Sequence, residues 1–304
     1  MAPRTLLRPV ALLMACAAVP ALADEVTVET ARGPVSVETR PETVVVLDNA
    51  AIDSLEALGV SIAAVPAPNY IDYLADVADK AEVAGTLFEP DFEKLAIMGP
   101  DLIIAGGRSA AKVPALDKLA PTLDMTMPGV DTLTATKDHL ATYGAIFGAE
   151  DTAADLATAL DQKVSEARAA VADKGDALIV LTNGGKISAY GANSRFGWLH
   201  GALELPEAHP GLTAEAHGHA ISFEFLAETD PDWLLVIDRG AAIGAEGEAA
   251  AATLDNPIVA RTKAAQQGHI VYLDAGPLYI AGGGAGSMIH TLDEIVAAFS
   301  QSES

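Results

Sequence analysis

The sequence predicts an α/β protein of two similar lobes, each built on a central, mostly parallel sheet, with one long helix between them. Three observations carry this expectation. Short apolar runs alternate with helical stretches along the chain, one segment recurs in register 131 residues later, and an alanine-rich helical pattern lies between the two copies.

The chain opens with Arg4 and Arg8 ahead of an apolar stretch and closes that stretch on Ala21-Leu22-Ala23, the pattern of a cleaved export signal over residues 1–23. Leu13-Met14-Ala15-Cys16 offers a second route, with lipid attached to Cys16. Beyond residue 23 no apolar run reaches the ~20 residues that cross a bilayer. Cys16 is the only cysteine, so a disulfide framework and thiolate metal sites are excluded from the exported part. The net charge of −24 argues against nucleic acid and anionic membrane surfaces as partners, and any anionic ligand needs local arginines to work against that field.

Strands are expected at residues 43–47, 62–65, 101–105, 178–181, 233–237 and 270–273. Each is a continuous apolar run, as strands covered on both faces are. Residues 151–174 read as one helix, with apolar positions at Ala154, Leu156, Leu160, Val164, Ala167 and Val171. An Asp151-Thr152 cap opens it and Gly175 closes it. The expected division is therefore 24–150 for the first lobe, 151–174 for the connector and 175–304 for the second lobe.

The repeat is checked by counting. Phe92-Glu93-Lys94-Leu95-Ala96 followed by Pro100-Asp101 returns as Phe223-Glu224-Phe225-Leu226-Ala227 followed by Pro231-Asp232, and the register carries on through the next strand until Arg108 falls on Arg239. In a parallel α/β sheet, ligands bind beyond the carboxyl ends of the strands. Arg108 and Arg239 are therefore expected on the same edge of their lobes, meeting in one cleft if the lobes face each other. Five of the seven histidines, His139, His200, His209, His269 and His290, lack metal-ligand spacing and read as structural. Gly282-Gly283-Gly284-Ala285-Gly286 lacks the Lys-Ser/Thr of a phosphate loop, and neither a Gly-x-Ser-x-Gly elbow nor a His-Glu-x-x-His helix is present, so the chain does not read as an enzyme.

With these features in place, the chain resembles the periplasmic iron–siderophore binding proteins of ABC importers, in particular the enterochelin/catecholate-type branch. The resemblance rests on an ordered set: Gly85-Thr86-Leu87-Phe88-Glu89-Pro90-Asp91-Phe92-Glu93, Gly106-Gly107-Arg108, Ser194-Arg195-Phe196-Gly197, His217-Gly218-His219, Ile237-Asp238-Arg239, Leu254-Asp255-Asn256, Thr262-Lys263-Ala264-Ala265 and Val271-Tyr272-Leu273-Asp274. It implies two lobes held by a rigid connecting helix and a monomeric periplasmic protein. Its ligand would be a ferric siderophore in the cleft, its partners an inner-membrane permease and ATPase, with no intrinsic cofactor. It implies that Arg108, Arg195 and Arg239 hold the anionic chelate, since a planar guanidinium fork suits paired oxygens better than an ammonium does. It also implies that His217 and Tyr279 complete the coordination of Fe(III) when the siderophore is tetradentate. Glu89, with Glu215 or Glu224 in the other lobe, is the implied permease contact. His219 reads as a bystander; Trp198, Tyr70 and Tyr190 are expected to pack or to stack on ligand rings, and Asn49 is a weaker cleft candidate. Heme- and cobalamin-binding proteins share the architecture, so heme or cobalamin is the alternative ligand.

Overall fold

The computed structural model describes residues 24–129, 131–212, 218–245, 247 and 249–301. The expectations for residues 1–23, including Cys16, and for Glu215 and His217 lie outside the described residues.

A hairpin of β1 (Glu25–Thr30) and β2 (Gly33–Glu38) leads into the first five-stranded sheet. That sheet holds β3 (Val44–Val46), β4 (Ala64–Val65), β5 (Glu82–Val83), β6 (Leu102–Ala105) and β7 (Thr122–Asp124), in the order β5-β4-β3-β6-β7 with every pairing parallel. All residues of β3 and β6 are buried, which is why they read as unbroken apolar runs.

The second sheet contains β8 (Ala177–Asn183), β9 (Lys186–Tyr190), β10 (His219–Ile221), β11 (Trp233–Asp238) and β12 (Ile270–Leu273), in the order β10-β9-β8-β11-β12. Its β8, β11 and β12 are parallel, whereas β9 and β10 are antiparallel additions at one edge. Sequence reasoning misses these two because neither is a continuous apolar run. Lys186 and Ser188 interrupt β9, and β10 is short and mostly exposed.

The repeat is realised element by element. Helices Phe92–Met98 and Phe223–Thr229 are both seven residues long. Asp91 and Ser222 cap them, each accepting from the backbone amide three residues on, Lys94 and Phe225. Both end on a left-handed residue, Gly99 (φ 61°) and Asp230 (φ 47°), and β6 and β11 then start 131 residues apart.

The connecting helix spans Glu150–Val171 and differs from expectation at both ends. Gly148 (φ 66°) ends the preceding helix, Thr132–Phe147, so the connector restarts almost at once. Ala149 then takes the cap position without a side-chain bond, and Asp151 lies inside the first turn, where the helix dipole favours an acid. At the other end Ala172 leaves helical geometry (ψ 131°) before Gly175 is reached. Leu160, Val164, Ala167 and Val171 are buried, but Ala153 takes the buried place expected of Ala154.

The last helix, Ala285–Gln301, packs against the connector and against helix Asn49–Ala57 of the first half. There Asp53 is 1% exposed and accepts the Ser287 N–H at 2.7 and 3.0 Å, while Ser54 Oγ accepts from Ala285 N. Close packing accounts for Gly283, Gly284 and Gly286 in the run 282–286. A Cβ at Gly284 or Gly286 would collide with the Asp53 carboxylate, and one at Gly283 with Met127.

Candidate functional site

The two repeat arginines stand just past the carboxyl ends of β6 and β11, and they converge on one residue. Arg108 Nη2 donates to the Tyr279 carbonyl at 3.0 Å, and its Nη1 to the Ile280 carbonyl at 3.2 Å. Arg239 Nε donates to the Tyr279 hydroxyl at 3.3 Å, with Nη1 on Asn183 Oδ1 at 3.3 Å. The third cation, Arg195, reaches the same carbonyl of Tyr279 at 2.8 Å and lies 4.5 Å above the tyrosine ring and 4.7 Å from that of Phe196. Three guanidiniums from both halves of the chain therefore surround Tyr279.

Each position has a local cause. Helix Arg239–Ala242 begins at Arg239 and is capped by Asp238 Oδ1, which accepts from Ala241 N. Arg108 follows Gly107 (φ 48°), whose amide donates to Thr126 Oγ1. Arg195 rides on the turn 191–197. There Ser194 Oγ donates to the Gly191 carbonyl, Ala192 N donates to Glu207, and a Cβ on Gly197 would run into the Ala192 carbonyl. Tyr279 sits in a single π-helical turn, Gly276–Ile280, tied down by Ser287 Oγ donating to the Pro277 carbonyl.

The electrostatics are unusual for a chain this acidic. Among the described residues none of the three guanidiniums is in an ion pair; their hydrogen-bond acceptors are backbone carbonyls, a phenol and an amide oxygen. Burial, and after it the charge of Arg108, lowers the pKa of Arg195. For Tyr279, burial pushes the phenol up, but the Arg239 hydrogen bond and the charges of Arg195, Arg239 and Arg108 together outweigh it and bring the pKa below the ordinary 10.0. Such a site favours oxyanions.

The other predicted residues are dispersed. Glu89 is exposed and bonded to Lys112 at 2.9 Å, and Glu224 is exposed in the first turn of Phe223–Thr229. Tyr190 and Trp198 are buried at 3% and 7% exposure; Tyr190 packs edge-on against Phe196, and Trp198 lines a cavity of 160 Å³ beside Arg195. Asn49 is half-buried at the start of its helix, and half-buried Tyr70 contributes its carbonyl beside Gly276. Histidines 139, 200, 209, 269 and 290 are held in packing or bonding roles, for example His269 stacked on Trp233 and His200 on the Leu205 carbonyl. His219 is exposed on β10. Among the described residues no three His, Cys, Asp or Glu side chains cluster as metal ligands. A larger cavity of 540 Å³ opens elsewhere, between β12 and the last helix near Trp233 and Tyr272.

Sequence reasoning overlooks Asn183 and Phe196, which orient Arg239 and Arg195; neither falls within the repeat. It also overlooks Glu93, which the repeat does mark, since it is the counterpart of Glu224 in the matching helical turn.

Known proteins resemble this chain along most of its length. The family model described as periplasmic binding protein matches residues 44–277. The chain is 36% identical over 269 residues to the petrobactin-binding protein YclQ of Bacillus subtilis, covering 85% of this chain and 83% of YclQ. The crystal structure of YclQ matches with a TM-score of 0.85, over 91% of this chain and 99% of that one. The ferric-anguibactin-binding protein FatB of Vibrio anguillarum is 29% identical over 90% of this chain and 87% of its own. The crystal structure of the periplasmic catecholate-siderophore binding protein VctP of Vibrio cholerae matches with a TM-score of 0.82 at 32% identity, over 91% and 100% of the two chains.

Proposed function

The chain belongs to the periplasmic binding protein family, and from that premise we propose that it captures a ferric siderophore, of catecholate type, and delivers it to an ABC importer. One observation carries the reading: three guanidiniums meet around Tyr279, and among the described residues none of them is in an ion pair with a carboxylate, in a chain of net charge −24. A ferric catecholate supplies the missing negative charge and rows of oxygen acceptors. On entry it replaces neutral carbonyl partners with anionic oxygens, which a guanidinium attracts by its charge as well as by hydrogen bonding. The ligands named for YclQ, FatB and VctP, petrobactin, ferric anguibactin and catecholate siderophores, support the same class.

Tyr279, as phenolate, and His217 complete the coordination of Fe(III) when a tetradentate siderophore leaves two positions open. The segments before and after helix Glu150–Val171 act as the two lobes, and that helix as the connector. Residues 1–23 direct export to the periplasm, with lipid attachment at Cys16 as the second route. The protein acts as a monomer without catalysis or a cofactor of its own. Glu89 and Glu224 contact the permease, and the repeat adds Glu93, which lies in the first turn of its own helix as Glu224 does in the matching one.

Titration of tryptophan fluorescence with ferric bis-catecholate, tris-catecholate, citrate and hydroxamate complexes, and with hemin, tests the reading. Tightest binding of a catecholate complex is expected. A Soret shift with hemin and no response to any siderophore would replace it with the heme reading.

A further inference from the structure

Beside the arginines lies a cavity whose walls, apart from Arg195, are uncharged. It is 160 Å³ in volume, with Met127, Pro128 and Thr132 from the first half of the chain on one side and Arg195, Trp198 and Leu278 from the second on the other. A cavity of about 150 Å³ is known to accept one benzene ring. The walls suit such a guest: a thioether, a proline ring, an indole and an isobutyl group surround it, and aromatic rings gain from contact with sulfur and with other rings. Arg195 already stacks on two aromatic rings, at 4.5 and 4.7 Å, so its guanidinium is at once a cationic partner for ring faces and part of the oxyanion site.

We propose that the cavity between Met127 and Trp198 is a subsite for a single aromatic ring on the siderophore's scaffold, one that does not coordinate the iron. The inference rests on the ferric-siderophore reading and narrows it: the preferred chelates carry an aryl arm within one ring's reach of the coordinated metal. Because both halves of the chain wall the cavity, the ring also bridges them.

Gly129 provides the test, since it lines the cavity and a Cβ there meets no atom within 4 Å. Two ferric complexes of a tetradentate bis-catecholate chelator, alike except for a benzyl or a methyl group on the linker, are titrated into the exported protein by fluorescence. The benzyl form is expected to bind the wild type about tenfold tighter, the scale of burying one ring. In Gly129→Phe, whose new ring competes for the cavity, that ratio is expected to fall to near one. Equal affinity of the two complexes for the wild type overturns the subsite, and this comparison depends on no variant folding. A benzyl preference that persists undiminished in folded Gly129→Phe overturns it too. Failure of both complexes to bind would instead sink the siderophore reading itself.

Discussion

Arg108 donates to the backbone carbonyl of Tyr279 at 3.0 Å, joining residues 171 apart in the chain. The bond is with the main chain, so it fixes where the π-helical turn sits whatever the phenol does. Arg239 holds the other end of the same residue through its hydroxyl. Tyr279 is thus gripped from both halves of the chain, and its phenol lies in a field set by cations that the repeat places at equivalent strand ends.

Removing either repeat arginine should weaken an anionic ferric bis-catecholate by about 1–3 kcal/mol, the scale of losing a charge-assisted hydrogen bond. Fluorescence titration of Arg108→Ala and Arg239→Ala measures it. Unchanged affinity in both would take the arginines out of the site.

Tyr279 should ionise below the ordinary tyrosine value. An ultraviolet pH titration of the ligand-free protein is expected to show one low-titrating phenol that disappears in Tyr279→Phe and moves upward in Arg239→Ala, since the bond from Arg239 leads the forces lowering it. With a tetradentate ferric siderophore bound, the phenolate-to-iron charge-transfer band should vanish in Tyr279→Phe. A band that survives would assign the iron contact to another tyrosine.

How much of this was open to sequence reasoning depends on the range of the interaction. The Phe-Glu-x-Leu-Ala and Pro-Asp repeat, the apolar strands and the 131-residue register are local patterns in one chain, and Arg108 and Arg239 follow from them. The β9–β10 edge has no such signature, because half-exposed strands with Lys186 and Ser188 resemble loops. Asn183 and Phe196 are invisible for another reason. Their importance comes only from touching Arg239 and Arg195, and contacts made by folding leave no spacing to count. The connector's start likewise depends on where the helix before it ends, at Gly148, and not on the Asp151 that looks like a cap.

The turn that carries Arg195 depends on the absence of a side chain at Gly197. A Cβ there would overlap the Ala192 carbonyl, and backbone cannot step aside as a flexible side chain can. Gly197→Ala should therefore cost more than ~2 kcal/mol of stability, measured by denaturant unfolding, and weaken ferric catecholate binding through displaced Arg195. A variant with wild-type stability and affinity would show that the turn relaxes freely.

The junction between helix Asn49–Ala57 and the last helix should make stability depend on pH through Asp53. Burial raises its carboxyl from 3.8 to about 7, against the opposing bonds from Ser287 N, Tyr73 Oη and Gly286 N, with the charge of Glu56 adding to the rise. The native state therefore keeps a proton that the unfolded chain releases, and over that interval it binds more protons than the unfolded chain does. Stability from this group accordingly falls as pH climbs from 3.8 to about 7 and is level above. Asp53→Asn keeps an acceptor for Ser287 N but cannot ionise, so its melting temperature relative to wild type should rise with pH across the window and then stop rising. His290 beside Tyr73, and Asp274 bonded to it, are present in both proteins and cancel in the difference. A constant offset at every pH would show that Asp53 ionises alike in the folded and unfolded chain, the Ser287 and Tyr73 donors then balancing its burial.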